Sequence, residues 1–389
     1  MKRGEVLMDK SKLPEQVAAV AADREKSLDR IRGCLIGGAA GDALGYKVEF
    51  VSYDEIQKTY GPSGITSYDT DPASGKALFS DDTQMSLFTA CGLLCAQTRT
   101  ALYKLSSSPR SYVYLAYLDW LETQRGDAHG ERISWLLDVK ELWSCRAPGA
   151  TCLDALSSGE QGSTERRINH SKGCGGVMRV APVGIALRDL DDRTADMEGA
   201  EIAALTHSHS LGFMPAAFLT HVIKKIVSSD EKPVLRDVVR EAQEMIKTLF
   251  SERKHLGAFM DLIDRAVSLS CNQEKDEDNI SRIGAGWCGD EALAIAVYCA
   301  LRHSDDFSAA IISAVNHSGD SDSTGSITGN IVGSLLGYEA IDEKWKKDLE
   351  IKETILEIAD DLCYGCLMSE GSDYTDESWL SKYARFDRK

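Results

Sequence analysis

The sequence predicts an all-α fold, and three observations indicate it. Apolar residues recur at three- and four-residue spacing through long stretches of the chain, as they do on one face of a helix. Alternating strand patterns are scarce, and only 8 prolines in 389 residues are available to interrupt helices. Two series of glycines four residues apart lie inside the periodic stretches. We therefore expect a fold built from packed helices.

Helical spacing identifies the elements in chain order. The predicted helices cover residues 28–48, 83–97, 215–227, 235–250, 291–301, 307–315 and 351–367. Residues 99–167 are more polar, aromatic and irregular, and we expect them to form a substrate-facing cap with short helices over 112–124 and 133–143. The first 27 residues carry charges throughout, and they predict a tail or short helix before a domain of residues 28–389.

Glycine recurs every fourth residue in two of the predicted helical regions. The two series are Gly33, Gly37, Gly41, Gly45 and Gly325, Gly329, Gly333, Gly337. A glycine inside a helix costs about 1 kcal/mol relative to alanine, so these positions need an offsetting gain. A stripe at this spacing lets another backbone approach closely. Asp42 and Glu49 lie near the end of the first stripe and Asp322 precedes the second. We therefore expect both helices in the core, delivering carboxylates to one place.

The composition argues against some classes of binding partner. The formal net charge of −17 argues against a nucleic-acid groove, which normally shows a basic stripe. We expect no membrane-spanning segment, because no uninterrupted apolar run approaches about 18 residues. The charged N-terminus also lacks the apolar stretch of a signal peptide. The 11 cysteines form no disulfide or zinc framework beyond one C-x-x-C at Cys363 and Cys366, and they predict a cytoplasmic location.

Two acidic clusters, each opening a helix-like run, are the strongest functional signal. They read Ser80-Asp81-Asp82-Thr83 and Gly319-Asp320-Ser321-Asp322-Ser323-Thr324. Adjacent carboxylates repel one another and are costly to bury, so such clusters usually require a cation. Hard divalent ions prefer oxygen ligands. Because helix capping alone needs one such side chain, we expect a site for one or two metal ions where the clusters meet.

Two other motif matches fail on their context. The second cluster resembles a calcium-binding loop, but its twelfth position is Ile331 instead of the required bidentate glutamate. A literal G-x-G-x-x-G runs from Gly284 to Gly289, yet the polar segment 272–282 precedes it where a dinucleotide-binding loop would follow a strand. We therefore expect neither an isolated calcium loop nor a dinucleotide site.

A glycine-rich loop is a candidate anion-binding element. It reads Ser171-Lys172-Gly173-Cys174-Gly175-Gly176. Successive backbone N–H groups in such a loop can hold a phosphate, as the N-terminus of a helix does. A simple turn is the alternative interpretation. His207 could donate to a phosphate or a ribose hydroxyl, or it could be structural.

Six motifs follow one another in a recognisable order. They are Gly41-Asp42-Ala43-Leu44-Gly45 with Glu49, Ser80-Asp81-Asp82-Thr83, Gly175 through Pro182, Thr206-His207, Gly286-Trp287 with Glu291, and the second acidic cluster with Gly325. In this order they resemble the ADP-ribosylglycohydrolase family, which includes the dinitrogenase-reductase-activating glycohydrolases and the ADP-ribosylarginine hydrolases. The resemblance implies a compact, orthogonal all-α fold with a central dinuclear metal site.

The resemblance also implies roles for individual residues. Two ions, Mg²⁺ or Mn²⁺, would be held by Ser80, Asp81, Asp82, Asp320, Asp322 and Ser323. Glu49 matches a glutamate that gates or assists catalysis, with Asp81 or Asp82 as the alternative proton carrier. ADP-ribose would be held by Ser171, Gly173, Cys174, Gly175, Gly176 and His207. Cys174 stands where the family often carries Asn, so we expect the contacts to ADP-ribose to differ there.

The implied reaction is metal-dependent hydrolysis of the N- or O-glycosidic bond between ADP-ribose and a modified side chain. The motif Asp320-Ser321-Asp322-Ser323 and the loop 178–182 favour the branch of the family that acts on arginine-linked ADP-ribose. Serine-linked ADP-ribose and a small ADP-ribosyl metabolite are alternative substrates. A non-catalytic ADP-ribose-binding module and a phosphoesterase acting on the pyrophosphate are alternative functions. The partner is accordingly an ADP-ribosylated protein or a small ADP-ribosyl molecule.

Overall fold

Helices build the protein throughout the described chain. The computed structural model describes residues 14–104, 108–126, 130–370 and 373–385. Within these ranges no strand forms, and strand-like pairing is limited to isolated bridges between Ala77 and Leu349 and between Gly173 and Cys288. The predicted all-α fold is confirmed.

The helices of the described residues are numbered in chain order. Their bounds are α1 Glu15–Arg24, α2 Leu28–Gly45, α3 Tyr53–Tyr60, α4 Asp81–Tyr103, α5 Pro109–Arg125, α6 Ala150–Ser158, α7 Ala181–Ala186, α8 Asp192–Ala204, α9 Ser210–Val227, α10 Leu235–Leu249, α11 Leu256–Leu269, α12 Asp276–Ile283, α13 Gly289–Arg302, α14 Phe307–Val315, α15 Ser321–Leu336, α16 Lys352–Tyr364 and α17 Glu377–Tyr383. The predicted helical runs therefore correspond to observed helices, and α14 has the predicted bounds.

Two predicted helices end earlier than expected, for local reasons. Helix α2 stops at Gly45, where a turn begins in which the N–H of Glu49 donates to the Gly45 carbonyl at 2.9 Å. Helix α16 stops at Tyr364, because Gly365 follows with a φ of +59° that a helix cannot continue. The turn after α2 carries Glu49, which the sequence predicts to be catalytic, away from the helix.

The irregular region 99–167 contains α5 and α6, but the predicted helix over 133–143 is wrong. Two short 3₁₀ turns, Trp135–Asp138 and Lys140–Trp143, take its place. The Asp119 carboxylate accepts from the N–H groups of Ile133 and Ser134 at 3.0 and 2.7 Å, which fixes the start of this segment outside a helix.

Two of the expectations fall partly outside the described residues. Residues 105–107 and 127–129 of the proposed cap, and residues 1–13 of the proposed N-terminal segment, are not described. The described part of the N-terminal segment includes α1. The end of the cap region reaches the first acidic cluster, since the N–H of Asp81 donates to the Arg146 carbonyl at 3.2 Å. Its role as a substrate cap stays a prediction.

Helices α2 and α15 pack backbone to backbone along their glycines. A Cβ atom placed on Gly37 would overlap the carbonyl oxygen of Gly329, and one on Gly41 would overlap that of Gly325. The reverse substitutions, on Gly325 and Gly329, would overlap the carbonyls of the partner helix in the same way. The predicted close approach in the core is confirmed. Gly337 is an exception, because it follows the end of α15 with a φ of +86°.

Helix α9 is long and apolar enough to cross a membrane by length and composition alone. In this structure 94% of its 18-residue apolar window is buried against the rest of the protein. Buried side chains from Leu211 to Val227 make it a central core helix. Among the described residues no other helix passes this test of length and hydropathy.

Candidate active site

Helix α4 begins at the first acidic cluster, and a buried aspartate from α2 organises it. Ser80 is the N-cap, as its Oγ accepts from the N–H of Asp82 at 3.2 Å. The Asp42 carboxylate accepts from the N–H groups of Ser80 and Thr83 at 2.8 and 2.9 Å. The Asp81 carboxylate has a different partner, since its Oδ2 accepts from the N–H of Gly149 at 3.0 Å. The carboxyls of Asp81 and Asp82 are thereby left at the start of α4 in fixed positions.

Helix α15 begins at the second acidic cluster in the same manner. Asp320 is the N-cap, and its Oδ1 accepts from the N–H of Ser323 at 3.2 Å. The Oδ1 of Asp322 accepts from the same N–H at 2.9 Å. The N–H of Asp320 donates to the Ala285 carbonyl at 2.9 Å, which ties the cluster to the loop before α13.

The fold brings the two clusters together. Burial is the main cause of the raised pKa of Asp82 and of Asp322, and repulsion from neighbouring carboxylates of both regions, among them Asp42 and Asp320, raises both further. Met178 joins the start of α15 to α4, since its Sδ lies 3.9 Å from Ser323 Oγ and its carbonyl accepts from Ser86 Oγ at 3.4 Å. The glycine interface between α2 and α15 explains why the two clusters meet. Helix α15 begins at the second cluster, and Asp42 of α2 binds the backbone of the first.

Burial is the largest cause of the shifted pKa values in this cluster. It raises the pKa of Asp42 to about 6 and, with the charges of Asp42 and Asp320, that of Asp81 to about 7. Glu49 is less buried, and desolvation with the charges of Asp320 and Asp81 raises its pKa to about 8. No Lys, Arg or His charge is among the main causes for Asp81, Asp82 or Asp322. Clustered acids without a basic partner are the setting in which a cation is stabilising.

The donor chemistry fits a hard cation, whereas the side-chain positions do not form a closed coordination shell. Oδ2 of Asp82 is buried without a hydrogen-bond partner, and it belongs to a set of carboxylate and hydroxyl oxygens. Within the described residues, however, no group of three or more His, Cys, Asp or Glu side chains is arranged to hold a metal ion. Carboxylates that repel one another lie farther apart than they do around an ion, so this open arrangement is consistent with the donor chemistry.

The raised pKa values predict that the metal-free protein loses stability as pH rises above neutrality. An acid whose pKa is higher in the folded state keeps its proton longer there, so its stabilising effect is lost as pH rises through the folded-state pKa. For Asp81 and Glu49 the loss begins near the unfolded-state pKa of about 4 and is complete only as pH rises through about 7 to 8. His207 has the opposite effect on stability. Burial lowers its pKa to about 3, so the folded protein loses stability as pH falls below about 6.5.

Urea unfolding in EDTA at about pH 7.0 and 8.5 measures this effect, with excess Mg²⁺ as the matched condition. We expect the free energy of unfolding to fall between the two pH values in EDTA and to fall less in Mg²⁺. Equal slopes in EDTA and Mg²⁺ would contradict the assignment of these carboxylates to a cation site.

The glycine-rich loop lies against the second acidic cluster. Sγ of Cys174 donates to Oδ2 of Asp320 at 2.7 Å. The N–H of Cys174 donates to the Trp287 carbonyl at 3.2 Å. Ser171 Oγ lies 3.0 Å from Thr151 Oγ1 and accepts from the N–H of Gly173 at 3.3 Å. The loop predicted to hold ADP-ribose is therefore beside the carboxylates predicted to hold metal.

His207 lies beneath this loop. It is 2% exposed, and a Cβ atom on Gly175 would lie 2.8 Å from its Cε1. Nδ1 lies 2.9 Å from Thr206 Oγ1. Burial and the nearby Arg179 charge lower the pKa of His207 to about 3, so the imidazole is neutral. The glycines of the loop leave room for this ring, which supports the loop from below.

Sequence reasoning left out several residues around this site. Asp42 was expected to bring a carboxylate to the site, but its hydrogen bonds to the backbone of Ser80 and Thr83 were not predicted. A basic group beside the loop was also missed, because His209 and His255 lie far along the sequence from Arg167, His170 and Lys172. The group consists of His209 and its neighbours His255, Arg167, Lys172 and His170. Burial lowers the pKa of His209, and these four neighbours lower it further. Arg167 and Lys172 give this group positive charge in a chain whose net charge is −17.

A cavity of about 390 Å³ lies elsewhere, between the ends of α1, α4, α7 and α16. Its lining includes Arg24, Gln97 and Arg188 and none of the predicted site residues. The Arg188 guanidinium donates to carbonyls at the ends of α7 and α16, which accounts for its position. The buried carboxylates, the loop and the orphaned oxygen thus mark the better candidate for an active site.

Comparison with known proteins agrees with this geometry. The sequence profile described as ADP-ribosylglycohydrolase matches residues 23–371. The chain belongs to the ADP-ribosylglycohydrolase family. The resemblance drawn from the ordered motifs is confirmed, and the protein is a glycosidase of this family.

Relatives of this ADP-ribosylglycohydrolase align over most of their length. ADP-ribosylhydrolase ARH3 of Mus musculus is 25% identical over 357 residues, which cover 84% of this chain and 88% of the relative. ADP-ribosylarginine hydrolase Tri1 of Serratia proteamaculans is 25% identical over 350 residues, covering 87% and 80%. A solved structure described as an ADP-ribosylglycohydrolase-related protein complex has a TM-score of 0.61 at 20% identity and covers 87% of this chain and 98% of its own. That structure supports the fold.

Proposed function

We propose that the protein hydrolyses the bond between ADP-ribose and an arginine side chain, with divalent cations held by the two acidic clusters. One observation carries the proposal: two buried carboxylate clusters meet beside a glycine-rich loop, with Cys174 of the loop 2.7 Å from Asp320. The relative Tri1 is an ADP-ribosylarginine hydrolase, which supports the arginine linkage.

The ligands would come from the starts of α4 and α15. The residues that would hold two Mg²⁺ or Mn²⁺ ions are Ser80, Asp81, Asp82, Asp320, Asp322 and Ser323. When bound, the ions would supply Lewis-acid activation at the ribose and offset the repulsion between the carboxylates. Asp42 would position the first set, because it holds the backbone of Ser80 and Thr83.

Glu49 is the candidate for proton transfer. It lies on the turn after α2, is more exposed than the clustered aspartates, and has a pKa raised to about 8 by burial and by Asp320 and Asp81. A carboxyl group that holds its proton near neutral pH can donate to the departing side chain and later accept from water. Asp81 is the alternative, although the N–H of Gly149 already occupies its Oδ2.

The glycine loop and its surroundings suit the pyrophosphate. Gly175 and Gly176 lie in a short 3₁₀ turn where backbone N–H groups can hold an anion. Lys172 lies in the loop itself, and Arg167 belongs to the basic group beside it. His207 would act on ADP-ribose through the loop that it supports. The negatively charged pyrophosphate of the substrate would thus bind on the side of the glycine loop.

The linkage is tested with two peptides of the same sequence, one ADP-ribosylated on arginine and one on serine. We expect a kcat/KM at least about tenfold higher for the arginine-linked peptide in Mg²⁺, with free ADP-ribose as the product, since tenfold corresponds to about 1.4 kcal/mol of differential stabilisation. Release from the serine-linked peptide alone would contradict the proposed linkage. Release of AMP would indicate a phosphoesterase, and binding without release from either peptide a non-catalytic module.

We also propose a cytoplasmic location. All 11 cysteines are free thiols. This supports the proposal, because unpaired cysteines in this number are typical of a reducing compartment.

A further inference from the structure

The cavity between the ends of α1, α4, α7 and α16 has a mainly apolar lining. Its volume of about 390 Å³ lies in the range of pockets that bind small molecules. Leucine and alanine side chains form much of the wall, among them Leu93, Ala96, Leu187 and Leu362. Leu190, which also lines the cavity, is 45% exposed, so the cavity opens to solvent. A ligand with an apolar body would remove this surface from water.

Two guanidinium groups interrupt the apolar wall. Arg24 is the last residue of α1 and Arg188 lies just after α7, and both line the cavity. The two cations are close enough to repel each other, since Arg24 contributes to the lowered pKa of Arg188, of which burial is the main cause. Among the described residues their hydrogen-bond acceptors are backbone carbonyls, and no carboxylate is one of them.

Helix capping explains the position of these side chains but does not use all their donors. Arg188 donates to carbonyls at the ends of α7 and α16, where a cation is favourable. Arg24 donates through one nitrogen, Nη1, to the carbonyl of Tyr364. A guanidinium has five N–H donors in a planar fork that matches the two oxygens of a carboxylate. Arg24 therefore keeps donors for a ligand in the cavity.

The charges in and around the cavity leave its lining positive. Two side chains of the described lining are cationic and one, Asp189, is anionic, so the formal charge is +1. Asp189 is exposed to solvent. Near the mouth Lys104 pairs with Glu370 at 2.9 Å, so these two charges offset each other. Glu25 lies outside the lining, where it accepts from the Tyr364 hydroxyl at 3.2 Å. An anionic ligand is accordingly favoured.

The cavity is separate from the candidate active site. Asp81 begins α4, and Leu93 is the first residue of that helix to line the cavity, twelve positions later. At the rise of an α-helix this is a distance of about 18 Å along the axis. The described lining includes none of the residues predicted to bind metal or ADP-ribose. A ligand of this cavity would thus be distinct from ADP-ribose.

We propose that this cavity binds a small organic carboxylate with an apolar body, such as a medium-chain fatty acid. The carboxylate would accept hydrogen bonds from Arg24, and Arg188 would add positive charge beside it. The hydrocarbon chain would lie against the leucines and alanines of α4 and α7. The inference goes beyond the proposed function and does not depend on it.

The test measures the Kd of octanoate for the full chain by isothermal titration calorimetry, with octylammonium and octanol as probes of equal chain length. We expect octanoate to bind with a Kd below about 1 mM. Octylammonium and octanol should bind at least about tenfold more weakly, because hydrogen bonds between charged groups are the stronger ones. Saturating ADP-ribose should change the Kd of octanoate less than about twofold, since the two sites share no residue.

Two variants locate the ligand, each with a matched control. Arg24→Gln should raise the Kd of octanoate about three- to tenfold. Arg240→Gln, which removes an exposed arginine paired with Asp237 at 2.9 Å on α10, should leave it unchanged. Ala101→Phe places a ring in the cavity and should abolish binding. Ala258→Phe adds the same ring at an exposed position of α11 and should have no effect. Far-UV circular dichroism checks that all four variants keep their helices.

Three results would overturn the inference. A Kd for octanoate above about 1 mM, or equal to that of octylammonium, would show that the cavity does not select an anion. An unchanged Kd in both Arg24→Gln and Ala101→Phe would place the bound octanoate elsewhere. Octanoate binding that ADP-ribose abolishes and Arg24→Gln leaves intact would place it in the candidate active site.

Discussion

Replacing Asp322 by alanine is expected to lower the rate of ADP-ribose release more than about 100-fold while the helical fold persists. Substituting a residue that merely orients a metal ligand typically costs 10- to 100-fold, so removing a proposed ligand should cost more. The fold should persist because neighbouring carboxylates repel Asp322 in the metal-free protein, where they and burial hold its pKa well above the ordinary value. Removing that carboxyl relieves the repulsion.

The variant is assayed at saturating Mg²⁺ with the arginine-linked peptide, and its helix content is followed by far-UV circular dichroism. Asp196→Asn is the matched control, because Asp196 is also a buried carboxylate but pairs with His221 at 2.7 Å between α8 and α9. We expect the control to retain most of its activity. Full activity of Asp322→Ala would remove the second acidic cluster from the mechanism, whereas an unfolded variant would contradict the view that this carboxyl is not a stabilising element.

Gly329→Ala should destabilise the protein by about 2 kcal/mol or more, although the same substitution in an unconstrained helix is stabilising. A Cβ at this position would overlap the carbonyl oxygen of Gly37 on the facing helix. The contact atom is backbone, so α2 and α15 would have to separate. Because α15 begins at the second acidic cluster and Asp42 of α2 holds the first, activity should fall with stability.

Gly257→Ala in α11 is the matched substitution, since a Cβ there meets nothing within 4 Å. It should raise the free energy of unfolding by a few tenths to about 1 kcal/mol. Urea unfolding of both variants gives the comparison. Equal effects at the two positions would show that the glycine stripe is not a packing requirement.

The glycine stripes illustrate how much of the fold was predictable from the sequence. Their four-residue spacing indicated two close helices, and the overlap between Gly41 and Gly325 confirms this. The 3₁₀ turns within 133–143 could not be predicted, because the aspartate that fixes their start, Asp119, lies in a preceding helix. Periodicity reports a local preference, whereas this hydrogen bond depends on tertiary structure.

The candidate site was predictable where its functional residues are adjacent in the sequence. The acidic clusters appear as runs of neighbouring oxygen-bearing residues, and the structure places both beside the loop at Cys174. The cavity lined by Arg24 and Arg188 was not predictable, since its wall comes from helices that are far apart in the sequence. Asp42 was recognisable in a motif, but its bonds to Ser80 and Thr83 appear only in the folded chain.

The most direct test of the account is a titration of the metal-free chain with Mn²⁺ that follows bound ions and ADP-ribose release together. The account predicts no release from the arginine-linked peptide in EDTA, and recovery as two ions bind per chain. Asp82→Ala should lose both ion binding and release, because Oδ2 of Asp82 is a buried oxygen of the first acidic cluster that has no hydrogen-bond partner. Full release in EDTA, or recovery of activity without bound Mn²⁺, would contradict the proposal that the two acidic clusters act through divalent cations.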